Sequence, residues 1–131
     1  MKKTTKISAA LLLFITILFA GCSKFEPATV EITSISNTGK NLECTATITD
    51  LGGCTHIIEE GFCYSIFEDV LIPEMYTTTI PVAYNLSAGD SLKFSLKETL
   101  PMADTVYYVR AYVKNNAGLS YSDIVKVNTS N

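Results

Sequence analysis

The sequence predicts an all-β chain, an antiparallel β-sandwich of about seven short strands. Beyond residue 28, apolar residues recur with a period of two rather than 3.6. Strand-like runs recur about every 8–15 residues and are separated by turn-forming residues. No stretch of that region combines helical spacing with capping residues. About 100 residues patterned in this way suit two packed sheets with immunoglobulin-like connections, and an open barrel is the structural alternative.

Each element has its own signature. Val30, Ile32 and an offset Ile35 mark the first strand. In the second, Leu42, Cys44, Ala46 and Ile48 alternate with Glu43, Thr45, Thr47 and Thr49, so one face is buried and one wet. Asp50-Leu51-Gly52-Gly53 then turns the chain, since glycine tolerates positive φ. Residues 57–67 form the third strand, with Phe62 and Tyr64 on one face. Residues 77–84 are β-rich but contain Pro81, which cannot donate to a ladder and so belongs at a sheet edge. Leu92, Phe94 and Leu96 alternate with Ser91, Lys93 and Ser95. Residues 106–114 carry the strongest strand pattern, and Asn115-Asn116-Ala117-Gly118 turns it into a last strand over 121–127.

The first 22 residues have another character. Lys2, Lys3 and Lys6 precede an apolar run over residues 7–20, and Ala20-Gly21-Cys22 follows with small residues at a cleavage point. The run is too short to cross a bilayer, which takes roughly 20 residues as a helix. Ala20-Gly21-Cys22 resembles the lipobox of bacterial lipoproteins, with Phe19 where that pattern usually has Leu. The resemblance implies cleavage before Cys22 and lipid, palmitate included, on its thiol and amino group. The alternative is an ordinary secretory signal followed by a chance cysteine. The expected organisation is a signal peptide over 1–21, a short tether over 22–28 and a β-sandwich over 29–131.

Charge narrows the partners. Of 10 basic residues, three leave with the signal, so the mature chain sets seven against 13 acidic residues, a formal charge of −6. The remaining Lys and Arg are scattered singly, which argues against nucleic acid and against binding an anionic membrane surface by charge. Cys44, Cys54 and Cys63 remain beside Cys22. In an exported domain they allow one disulfide and a leftover thiol, or three small buried hydrophobes; their spacing does not rank the pairings.

Gly61-Phe62-Cys63-Tyr64-Ser65, Leu100-Pro101 and the run Tyr107-Tyr108-Val109-Arg110-Ala111-Tyr112-Val113-Lys114-Asn115-Asn116-Ala117-Gly118 together resemble fibronectin type III-like domains of Bacteroidetes lipoproteins. The resemblance spans residues 29–128. The stretch from Leu100 to Tyr107 is one residue longer than in that pattern, which implies a bulge at the corner. The residues themselves support the same reading. Tyr107, Val109, Ala111 and Val113 share one face and should fill the core, and Tyr107 suits a tyrosine corner, its hydroxyl bonding back to the backbone. With Phe94, Ile48, Phe62 and Leu92 they make up the expected core. Tyr108, Arg110 and Tyr112 share the outer face, with Arg110 expected between two tyrosine rings. That trio reads either as a binding face or as a self-contained ladder stiffening the sheet.

Chemistry is sparse. His56 is the one histidine, so a Cys-His nucleophile would need Cys54 or Cys63 beside it, and a loop imidazole is the simpler reading. No metal-ligand spacing and no cofactor motif is present; Glu68, Asp69 and Glu74 lack the calcium-loop pattern. Adjacent Glu59 and Glu60 point to opposite faces of a strand, wrong for paired acid–base work. Asp90-Ser91-Leu92 and Asp104-Thr105-Val106 look like acceptor sites for O-linked glycans at Ser91 and Thr105. The resulting expectation is a non-catalytic interaction module of the cell envelope, held to the outer membrane by lipid on Cys22 and facing the periplasm rather than the outside. It docks a protein or a glycan; the alternative is a carbohydrate-binding module using Tyr76, Tyr84, Tyr108 and Tyr112. A thiol-dependent enzyme at Cys54 and His56 is the rival class.

Overall fold

A computed structural model describes residues 25–68, 77–87 and 89–130. The expected signal segment, Cys22, Asp69, Glu74 and Tyr76 lie outside the described residues. Eight strands follow in chain order: β1 (Thr29–Thr38), β2 (Asn41–Asp50), β3 (His56–Ser65), β4 (Thr78–Ser87), β5 (Lys93–Thr99), β6 (Val106–Asn115), β7 (Gly118–Tyr121) and β8 (Val125–Asn128). One sheet has the order β1-β2-β5; the other runs β4-β3-β6-β7, with β8 also paired to β6. Every pairing is antiparallel. Pro81 lies on β4, at the edge where its missing N–H costs nothing.

The expected seventh strand is split in two. At the break the Ser122 N–H donates to the Ala111 carbonyl at 2.9 Å, while the Ala111 N–H donates to Ser122 Oγ at 2.9 Å. The hydroxyl thus takes the place of a ladder carbonyl, and residues 123 and 124 leave the sheet. A second irregularity matches the offset of Ile35: the β1–β2 register shifts between Ile32 and Ser34.

The inner faces meet as the alternation requires. Leu42, Cys44, Ala46 and Ile48 of β2 pack with Phe62 and Tyr64 of β3, Phe94 of β5 and Tyr107, Val109, Ala111 and Val113 of β6. The rings pair across the core, Phe62 with Phe94 at 5.2 Å and Tyr64 with Tyr107 edge-on at 5.7 Å. Leu92 departs from expectation and is 37% exposed. The ladder between β2 and β5 runs only as far as Thr47 and Lys93, so Leu92 gives its carbonyl to the Ile48 N–H but has no facing strand to bury its side chain.

Two connections fix the ends of the sandwich. In the corner before β6, Tyr107 Oη accepts the Met102 N–H at 2.9 Å, the expected tyrosine corner. Asp104 in that corner has φ 50°, a left-handed turn that Asp tolerates better than most residues. Tyr107→Phe should cost about 1 kcal/mol, the net worth of one such bond, measured by urea denaturation. At the other end the segment before β1 is bolted down. The Glu26 N–H donates to the Gly52 carbonyl at 2.8 Å, Asn115 Nδ2 donates to the Glu26 carbonyl at 2.8 Å, and Ala28 is buried. Gly52 has φ 68°, and a Cβ there would collide with the Glu26 carbonyl oxygen, so glycine is required twice over.

Candidate functional site on the outer sheet face

β6 sends Tyr108, Arg110 and Tyr112 to the outside of the five-stranded sheet, opposite Tyr107, Val109, Ala111 and Val113, as the alternation predicts. The three do not form the expected exposed ladder. Tyr112 is only 3% exposed. Its cross-strand partner on β3 is Gly61, and a Cβ on Gly61 would come 2.9 Å from Tyr112 Cε1 and run into the Ile80 carbonyl oxygen. The bare glycine lets the phenol ring settle onto the β3 backbone. Arg110 does not lie between Tyr108 and Tyr112. Its guanidinium sits 3.7 Å over the ring of Tyr121, while Tyr108 has Lys126 above it at 5.7 Å. Neighbours two apart on one strand are about 7 Å distant, and Tyr121, directly opposite Tyr112, is the diagonal cross-strand neighbour that a long side chain reaches.

Beside Tyr112 opens a cleft of about 200 Å³, lined by Glu59, Cys63, Thr79, Tyr112, Lys114 and Leu119. Register explains its make-up. Glu59 faces Tyr84 on β4 and Lys114 on β6, Lys114 faces Leu119 on β7, and Cys63 faces Thr79 on one side and Arg110 on the other. Three buried polar atoms of this face lack a hydrogen-bond partner: Tyr112 Oη, Thr79 Oγ1 and Arg110 Nε. Burial pushes the Tyr112 hydroxyl well above its ordinary range, and the Glu59 carboxylate adds to the effect. Burial also raises the Cys63 thiol, against the opposing pull of Arg110, and its Sγ contacts the Arg110 carbonyl at 3.7 Å. The ion pair found among the described residues, Lys97 with Glu43 at 3.1 Å, belongs to the other sheet. Lys114 and Glu59 therefore stand opposite one another without closing a salt bridge.

The remaining sequence candidates are dispersed. Ser91 is exposed beside β5, and its hydroxyl donates to the Lys93 carbonyl at 3.2 Å. The Thr105 hydroxyl, at the opposite end of the sandwich, donates to the Ala103 carbonyl at 2.8 Å. Cys44, Cys54 and Cys63 are all free and buried, so no disulfide joins them. Burial lifts the Cys44 thiol to about 12. Cys54 is 4% exposed, and His56 opens β3 opposite Ser87 rather than sitting in a loop. Among the described residues no group of three His, Cys, Asp or Glu side chains is placed to hold a metal ion.

Sequence reasoning missed Glu59, Thr79 and Lys114 as parts of one site. They lie on three strands, and Gly61, whose missing Cβ permits the close approach, entered only as part of the resemblance motif.

No family model matches the chain, and no curated protein matches it. Solved structures do. The sensor domain of the anti-sigma factor RsgI4 of Pseudobacteroides cellulosolvens, in a short version, aligns with a TM-score of 0.56 at 16% identity, covering 82% of this chain and 98% of that one. The chain has an immunoglobulin/fibronectin type III-like fold. A crystal structure of titin domains aligns at 15% identity with a TM-score of 0.46, covering 82% of this chain and 32% of that one. In this sandwich the fourth strand joins β3 rather than β1, which widens the sheet carrying the cleft and gives its outer face a β4 wall.

Proposed function

We propose that the protein is a lipid-anchored, non-catalytic interaction module of the cell envelope that docks a protein or glycan through the outer face of its five-stranded sheet. The observation that carries the docking reading is the pair of unpartnered polar atoms that belong to the cleft lining on that face, Tyr112 Oη and Thr79 Oγ1. Buried polar groups left without partners cost about 1–3 kcal/mol each, and a ligand that completes them recovers that cost. The similarity to a sensor domain agrees with a module that binds rather than reacts. The non-catalytic reading has its support in Cys54, the thiol nearest in sequence to the lone histidine, which is buried.

Anchoring rests on residues 1–22, which resemble the leader of bacterial lipoproteins. With lipid on Cys22, only residues 23–25 separate it from the bolted Glu26, and three residues span at most about 10 Å when extended. The turns 51–55 and 116–117 would then face the membrane, and the outer sheet face would stand beside it, open from the periplasm. Cys22→Ala is expected to block maturation, so that the precursor accumulates as it does with globomycin. Processed Cys22→Ala protein still fractionating with membranes would refute the anchor. Pulldown of the lipidated protein from its own envelope tests the docking role.

A further inference from the structure

We propose that the cleft beside Tyr112 holds a single neutral sugar residue of a glycan, with Tyr84 as the stacking plate at its edge. The inference deepens the docking reading above and rests on it. Four features point to this ligand chemistry. The cleft, at about 200 Å³, is smaller than the roughly 300–1,000 Å³ of drug-sized pockets and suits one small ring. Its polar groups are mixed rather than of one sign. Glu59 accepts, Lys114 donates, and the Tyr112 and Thr79 hydroxyls do both. An anion would meet the Glu59 carboxylate and a cation would meet Lys114. A neutral polyol can give hydroxyl protons to the first and accept from the second.

The third feature is the Tyr112 hydroxyl itself. It is buried in a residue that is 3% exposed, has no hydrogen-bond partner, and belongs to the cleft lining. An orphaned phenol in that position is satisfied by a ligand hydroxyl. The fourth is the neighbouring wall. Tyr84 lies opposite Glu59 on the edge strand β4, on the same outer face, and is 58% exposed. An exposed aromatic ring next to a polar cleft offers its flat face to the C–H side of a pyranose while the hydroxyl edge turns into the cleft, and Leu119 closes the apolar side.

The test uses the full-length lipidated protein in detergent, titrated by calorimetry with neutral gluco-, manno-, xylo- and N-acetylglucosaminyl oligosaccharides. At least one series should bind. Tyr84→Ala and Glu59→Gln should each weaken that binding about tenfold or more. Both variants remove an exposed or isosteric group and should melt like the parent. Lys97→Ala, on the opposite sheet, should change affinity by less than about twofold. Failure of every series to bind overturns the proposal, as does binding that survives both cleft variants or falls equally in Lys97→Ala. The docking reading fails separately. If no glycan binds but a protein still co-purifies and is lost in Tyr84→Ala, the sugar assignment falls and the docking face stands.

Discussion

Phe94→Ala should destabilise the domain by about 3–5 kcal/mol, and Phe62→Ala by a similar amount. The two rings are buried from opposite sheets and pack at 5.2 Å and 51°, so they are the principal aromatic contact holding the sheets together. Each truncation removes a full aromatic side chain and leaves a cavity that the flanking Ala46 and Ala111, register partners of Phe94 and Phe62, are too small to fill. Such a loss is a large part of the 5–15 kcal/mol that a domain typically has. The pair is in contact, so the double variant should cost less than the two singles added together. Arg110→Ala should cost far less, because its guanidinium rests on Tyr121 at the outer face, a contact worth about 0.5–1 kcal/mol where exposed. Urea denaturation of the four variants tests the order. If Arg110→Ala proved costlier than Phe94→Ala, the faces of β6 would have to be exchanged, since a one-residue slip moves every side chain across the sheet.

The parts of this fold that could be read from the chain are those where one residue's fate depends on its near neighbours. The alternation in β2 and β6 assigned faces correctly because one side of each strand is buried and the other is not. The tyrosine corner was legible from Tyr107 with Leu100 and Pro101 just upstream. What escaped depends on partners far along the chain. The alternation through Leu92, Phe94 and Leu96 carries no mark of where the facing ladder stops, so Leu92 passed for core. Periodicity places Tyr112 on the outer face but says nothing of depth, which is set by Gly61 on β3 and by the contact that glycine permits. Arg110 was matched to the tyrosines beside it in sequence, whereas its stacking partner stands on the next strand. The cleft was illegible for the same reason, being assembled from four strands. Its most telling residue, Gly61, was visible only as part of a family-like motif.

Raising the pH from about 4.5 to above 7 should remove up to roughly 3 kcal/mol of folding stability through one side chain, Glu60. Glu59 and Glu60 point to opposite faces, as expected, and Glu60 takes the inner one, opposite Val113 of the core, where it is 3% exposed and its Oε2 has no hydrogen-bond partner. Burial in apolar surroundings penalises the charged form and pushes the carboxyl from 4.5 up to about 7. The unfolded chain releases this proton near pH 4.5, while the folded chain keeps it until about pH 7. Folding within that window takes up a proton, so the contribution is fully present below the unfolded value and is lost as pH rises through the folded one. Above pH 7 the folded state must carry a buried carboxylate that no ion pair among the described residues compensates, or open to hydrate it. Other carboxylates also titrate at low pH, so the comparison is with Glu60→Gln, which keeps the shape and cannot ionise. Denaturation series at about pH 4.5, 6 and 7.5 should show the wild type losing stability relative to Glu60→Gln, with the gap widening toward the highest pH. Parallel profiles for the two proteins would mean that Glu60 reaches water and ionises normally in the folded state.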